Sequence, residues 1–121
     1  RTRRWQYIRR FGQRTLPVLA NVDDGPSKEA CLAYGWQSRT IPTEQLYDLV
    51  FDPGERRNLA ADPDQAGPLT ALRSRLDAWM AATDDPILAG PIPAPQGAEV
   101  NRQDDLSPSM PTCLINQERN A

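Results

Sequence analysis

The chain contains no histidine. That removes the one side chain whose unperturbed proton exchange falls near neutral pH, and with it the usual general acid or base of a hydrolytic site. Only two cysteines are present, Cys31 and Cys113, about eighty residues apart. Such a pair is neither a zinc spacing nor a disulfide framework, and it leaves one optional bridge. No apolar run approaches the roughly 20 residues of a membrane span. The chain opens without methionine on a basic, strand-like segment rather than on a signal peptide's apolar stretch, as expected for a piece of a longer protein. Lysine is nearly missing as well, with one against thirteen arginines, a bias that fits genomic base composition as well as a demand for bidentate anion contacts.

The 121 residues bound the answer to one domain. Setting aside the proline-rich end leaves roughly 85 foldable residues, a size that buries only about 60 to 65% of its unfolded surface. Such a core is marginal, and a docking partner would supply missing burial. Apolar residues make up 39% and aromatics 7%, and twelve prolines punctuate the chain, so short elements and irregular backbone are expected. The formal net charge of -2 hides an asymmetry: residues 1–14 carry six arginines and no acid, while the remainder carries eight bases and sixteen acids.

Period-two alternation over residues 5–11 predicts a strand, with Trp5, Tyr7, Arg9 and Phe11 on one face and Gln6, Ile8 and Arg10 on the other. Residues 16–22 are interrupted by Pro17 and read as an edge strand or extended loop. A turn over 23–28 precedes a short helix over 28–34, with Ser27 as cap, Gly35 as stop and Ala30, Cys31 and Tyr34 on one face. A second strand is predicted over 46–51, closed by the turn Asp52-Pro53-Gly54-Glu55 with Gly54 at positive φ. Asn58 and Asp62-Pro63 read as caps, and Gly67-Pro68 as a break before a long helix over 68–82. On that helix Leu69, Leu72, Leu76, Trp79 and Met80 form one apolar stripe for packing against the sheet, with Trp79→Ala as the costliest change. Six of the twelve prolines fall in the last thirty-six residues, which predicts an extended or disordered tail over 87–121 after a folded part over 1–86.

Three stretches together carry a family resemblance. Arg3-Arg4-Trp5-Gln6-Tyr7-Ile8-Arg9-Arg10-Phe11 resembles the strand R-x-x-Y-K-Y-I-R that opens the C-terminal subdomain of sulfatases, with Gln6 where lysine is commoner. Pro17-Val18-Leu19-Ala20-Asn21-Val22-Asp23-Asp24-Gly25-Pro26-Ser27-Lys28 is similar to a loop, P-x-x-P-N-x-D-D-x-P-S-K, of bacterial enzymes of the N-sulfoglucosamine sulfohydrolase and arylsulfatase type, with Ala20 in place of a proline. Gln45-Leu46-Tyr47-Asp48-Leu49-Val50-Phe51-Asp52-Pro53-Gly54-Glu55-Arg56-Arg57-Asn58-Leu59-Ala60 resembles the sulfatase pattern E-L-Y-D-L-x-x-D-P-x-E-x-x-N-L-A. Residues 112–121 do not look like family sequence.

The resemblance implies an α+β fold, a small antiparallel sheet packed against one long C-terminal helix, as in the alkaline-phosphatase-like sulfatase C-terminal subdomain. It implies a parent enzyme that hydrolyses sulfate esters or sulfamates, those of amino sugars among them, on sulfated sugars or aryl substrates, using a formylglycine nucleophile and calcium in its catalytic domain. Neither cysteine stands in the C/S-x-P-x-R context that yields formylglycine, and no catalytic or metal-binding residue carries over to this chain, which alone is expected to be inactive. Its partner would be the sulfatase catalytic domain.

The polar cluster suited to touch substrate is Asp23, Asp24, Ser27 and Lys28, since carboxylates accept hydrogen bonds from sugar hydroxyls and the single lysine pairs with sulfate or carboxylate. A solvated turn is the plainer reading of the same residues. Asp48, Asp52 and Asn58 follow no D-x-D-x-D-G calcium loop and read as turn and capping residues. The alternative function is a nucleic-acid-binding or protein-interaction module built on the basic, aromatic first strand. A sequence pI near 5.1 and the lack of an RNA-binding signature weigh against the nucleic-acid version.

Overall fold

The computed structural model describes residues 1–115; the rest of the stretch 112–121, and of the tail 87–121, lies outside the described residues. The fold is a small α+β arrangement with two two-stranded antiparallel sheets and one long helix. It divides into two compact units, one of Arg1–Gln13 with Pro42–Ile92, the other of Arg14–Ile41 with the described residues from Pro93 onward.

In the first unit β1 (Trp5–Arg9) pairs with β2 (Glu44–Asp48), with Tyr7 opposite Leu46 and Arg9 opposite Glu44. Leu49 N–H donates to Arg4 O at 2.6 Å and Arg10 N–H to Thr43 O at 2.9 Å. The even-numbered residues of β1 therefore turn their backbone groups toward β2. On the far edge of β2, Asn58 closes the ladder. Its Oδ1 accepts from Leu46 N–H at 2.9 Å, its Nδ2 donates to Glu44 O at 3.0 Å, and Leu59 N–H donates to Leu46 O at 2.8 Å. On the far edge of β1, Thr2 N–H donates to Trp5 O and Trp5 N–H to Thr2 Oγ1, both at 2.9 Å; beyond that rung the backbone groups of Tyr7 and Arg9 face outward.

β2 lies two to three residues earlier than the expected 46–51. Asp48 is the cause: its Oδ1 accepts from Val50 N–H at 3.1 Å and its carbonyl from Asp52 N–H at 2.7 Å, so the chain curls out of the ladder. Phe51 is consequently 82% exposed. In the turn that follows, Glu55 and not Gly54 takes the left-handed conformation, at φ 51°. Asp52 Oδ2 holds it there by accepting from both Arg56 and Arg57 N–H at 2.8 Å.

The long helix α2 spans Ala66–Ala82, running through the Gly67-Pro68 pair that was expected to break it. Asp62 accepts from Asp64 N–H and starts a 3-10 turn, Pro63–Gln65, that leads straight into α2. Pro68 is then in the first helical turn, where its missing N–H has no intrahelical acceptor to lose. At the other end Asp84, at φ 49°, takes the position usually held by glycine, with Asp85 N–H donating to Met80 O and Asp84 N–H to Ala81 O. The apolar stripe turns only partly inward. Leu69 and Met80 are buried with Leu46, Leu72 and Leu76 are half-buried, and Trp79 is 58% exposed. The expectation that Trp79→Ala costs most is thereby corrected, because a side chain already in water loses little on truncation.

In the second unit residues 14–25 form neither an edge strand nor a fully extended loop: a 3-10 turn, Leu19–Asn21, buries Leu19 and Ala20. Helix α1 spans Pro26–Ala33. Its cap position is Gly25, with Pro26 as first helical residue, so Ser27 does not cap it. Gly35 follows at φ 81° and leads into a second 3-10 turn, Trp36–Ser38. Where an extended or disordered tail was expected, β3 (Glu99–Val100) pairs with β4 (Cys113–Leu114). Asn101 Nδ2 donates to Met110 O at 3.0 Å, and Asp105 Oδ2 accepts from Arg102 N–H at 2.8 Å within the connecting loop. Strands of two residues have no alternation to read. Cys31 and Cys113 are both free thiols.

Candidate functional site

The loop singled out from the sequence is organised around its lysine. Lys28 is 5% exposed, and its Nζ donates to Val22 O and to Asp24 Oδ1, each at 2.9 Å. A buried ammonium needs such partners, since leaving it unpaired in a low-dielectric setting costs several kcal/mol. Asp24 Oδ2 accepts in turn from Ser107 Oγ. That hydroxyl, and then Lys28, hold the Asp24 carboxyl below the usual carboxylate range. Asp24, Lys28 and Ser107 are thus brought together, and Ser107 carried no signal in the sequence. Asp23 and Ser27 are exposed and outside this network.

Burial of Lys28 reverses the expected orientation of α1. Ser27, Ala30, Cys31 and Tyr34 recur at helical spacing on one face, and all four are exposed; Tyr34 reaches 94%. Together with Trp36 and Arg39, Ala30, Cys31 and Tyr34 line a cleft of about 380 Å³.

In the first unit the polar centre is Glu44. Arg73 Nε donates to Glu44 Oε1 at 2.7 Å, Arg73 Nη2 donates to Oε2, and Tyr7 O–H donates to Oε1 at 2.6 Å. The two-pronged Arg73 contact holds the Glu44 carboxyl down at about 2, with the Tyr7 hydroxyl adding to it against a desolvation cost. Burial, then the same carboxylate, pushes the Tyr7 phenol up to about 12. Arg73, Glu44, Arg9, Asp77, Arg10 and Thr43 line an open groove of about 420 Å³, in which Arg9 Nη1 donates to Asp77 Oδ1 at 2.7 Å. A second cleft, of about 250 Å³, is walled by Tyr7, Leu72, Leu76 and Trp79, with Arg1 and Arg75 at its rim.

Because Glu44 ionises more readily folded than unfolded, its contribution is complete above its ordinary value near 4.5 and is lost as the pH falls through about 2. Chemical denaturation between pH 5 and about 2 should show stability falling through this window, and Glu44→Gln should flatten the fall while lowering stability at neutral pH. A parallel slope in wild type and variant would reject the assignment.

Three of the six arginines in the basic N-terminal segment, Arg4, Arg9 and Arg14, are paired with carboxylates within their own units. Arg4 donates through Nε and Nη2 to Asp48 Oδ2, at 2.9 and 2.8 Å, and lies 4.8 Å from the Trp5 ring centre. Arg4, ahead of two backbone amides, holds the Asp48 carboxyl below its usual range. Arg14 Nη1 donates to Asp104 at 2.7 Å. Asp52 is held low by the Arg57 and Arg56 amides. Asp48, Asp52 and Asn58 therefore act in turns and edges. Among the described residues no three acidic or thiol side chains converge as a cation site.

The sequence is 31% identical over 113 residues to an ulvan-active sulfatase of Formosa agariphila, an alignment covering 89% of this chain and 22% of the relative. It is 45% identical over 42 residues to a delta 4,5-hexuronate-2-O-sulfatase of Bacteroides thetaiotaomicron, covering 35% of this chain and 9% of that one. Over 47 residues it is 45% identical to the human N-sulphoglucosamine sulphohydrolase, covering 39% of this chain and 9% of the relative. No family model matches the chain, and no solved structure gives a significant match. Along most of its length the chain is similar to sulfatases. It spans about a fifth or less of the length of these curated relatives.

Proposed function

We propose that the chain is the C-terminal subdomain of a sulfatase with an alkaline-phosphatase-like fold, packed beside a catalytic domain that carries the formylglycine and the calcium. The parent enzyme hydrolyses sulfate esters or sulfamates of sugars, as the hexuronate and sulphoglucosamine in the relatives' names suggest. What carries the reading is the 31% identity running along 89% of the chain. A physical argument supports docking: Leu72, Leu76 and Trp79 wall an open apolar cleft on α2, and apolar surface of that kind gains roughly 25 cal/mol per Å² when another protein surface covers it.

Within this reading the loop at Asp23 and Asp24 borders the substrate cleft, with Lys28 as the internal strut that sets its shape and Ser27 beside it on α1. Residues 1–121 alone release no sulfate from an arylsulfate in the presence of calcium, whereas the same residues joined to a sulfatase catalytic domain do. Asp23→Ala, a change at an exposed carboxylate outside the loop's hydrogen bonds, raises KM of the joined enzyme about tenfold or more with unchanged melting temperature, since one charge-assisted hydrogen bond is worth about 1.5–3 kcal/mol. Turnover by the 121 residues alone overturns the subdomain reading, and an unaltered KM overturns the role of the loop.

A further inference from the structure

Resting on the sulfatase reading, we propose that the cleft on the open face of α1 binds a second saccharide ring of the substrate, a pyranose bearing a carboxylate or sulfate, remote from the bond that is cleaved. The cleft is built from two aromatic rings and one arginine over a small floor. Tyr34 ends α1, Gly35 turns the chain in the left-handed conformation at φ 81°, and Trp36 opens the next 3-10 turn. Arg39 follows, its backbone N–H fixed to Trp36 O at 3.1 Å. Ala30 and Cys31 leave a space of about 380 Å³ between these side chains, enough for one sugar ring.

The chemistry of the walls selects the occupant. An aromatic face carries the negative lobe of its quadrupole, so it attracts the slightly positive C–H hydrogens on the apolar side of a pyranose while leaving the hydroxyls to solvent. Tyr34 offers such a face at 94% exposure, a cost that folding alone does not explain. Beside it, the Arg39 guanidinium has no carboxylate partner among the described residues, unlike those of Arg4, Arg9, Arg14 and Arg73. Among the described residues no acidic side chain lines the cleft, so its charge complements an anion, and the planar fork of arginine matches a carboxylate or sulfate in two-pronged fashion. The cleft on α2 also sets two aromatic rings, Tyr7 and Trp79, beside arginines, Arg1 and Arg75, but its walls include aliphatic Leu72 and Leu76, which suit an apolar cover, and the groove at Arg73 already holds Glu44 and Asp77.

Titrating the 121-residue chain with glucuronic acid, glucosamine 6-sulfate and glucose, while following the backbone amides of residues 30–39 by NMR, tests the assignment. Saturable shifts with both anionic sugars, and weaker ones with glucose, are expected. Tyr34→Ala weakens binding about five- to tenfold, and Arg39→Ala removes the preference for anionic sugars; both residues are exposed, so the circular dichroism spectrum stays unchanged. A response to only one of the anions names which group Arg39 reads. In a sulfatase containing this chain, Tyr34→Ala raises KM for a sulfated polysaccharide and leaves kcat and KM for a small arylsulfate as they were. Absence of saturable shifts at residues 30–39, or equal shifts in Tyr34→Ala, overturns the proposal. So does a Cys31 thiol that resists maleimide in the joined enzyme, because protein then covers the face. Arylsulfate turnover by that same enzyme reports on the sulfatase reading independently.

Discussion

Replacing Asn58 by alanine lowers the unfolding free energy by roughly 2–4 kcal/mol, measured by urea denaturation. The side chain is small and partly exposed, so the effect does not come from packing. Leu46 is fully buried, and its N–H has Asn58 Oδ1 as partner; Glu44 O and Ala60 N–H rely on the same amide. Truncation strands a buried donor away from water, and one such group costs about 1–3 kcal/mol where a merely exchanged hydrogen bond costs about 1. Asn58→Asp separates the contributions. It keeps the acceptor for Leu46 and Ala60 but loses the donor to Glu44 O, so it falls between wild type and alanine. An alanine variant within 0.5 kcal/mol or so of wild type, the usual range of surface changes, would show that solvent replaces the clamp.

Leu46→Ala removes about 2–5 kcal/mol, while Trp79→Ala removes less than about 1 in the isolated chain. Leu46 is 0% exposed, and its loss leaves a cavity that the surrounding backbone, tied by Asn58 and Leu59, is poorly placed to collapse into. Trp79 has the larger ring but keeps 58% of its surface in water. The contrast also reads out docking: joined to a catalytic domain that covers α2, the Trp79 variant should lose several times more stability than it does alone. Equal losses for Leu46→Ala and Trp79→Ala in the isolated chain would contradict the burial assigned to α2.

What was legible before the structure was what local pattern controls. The alternation Trp5, Gln6, Tyr7, Ile8 marks β1, and the spacing Leu69, Leu72, Leu76, Met80 marks α2, because each period is written in consecutive residues. Helix starts and strand ends moved where a single polar side chain chose its own neighbours. Asp48 ended β2 early by accepting from Val50, and Asp62 let α2 begin before Pro68. The site was less legible for a different reason. Glu44 and Arg73 are twenty-nine residues apart, and Asp24 and Ser107 eighty-three, so no spacing rule joins them. Lys28 was visible as the single lysine, yet the side of α1 that faces inward is set by its partners at Val22 and Asp24, against the apolar pattern of Cys31 and Tyr34.

The two long edges of the β1–β2 pair are unlike. Asn58 and Leu59 occupy every rung offered by the middle of β2, whereas β1 still turns the amides and carbonyls of Tyr7 and Arg9 outward past the Thr2 rung. The sheet is therefore a growth front with one end stopped. Any further strand joins beside β1 and nowhere else, in a register already begun by Thr2 and Trp5, and a second molecule meeting the same edge can add only once before its own Asn58 halts the ladder. Growth of this sheet through the β1 edge ends at a pair, because the opposite edge is already stopped by the Asn58 amide.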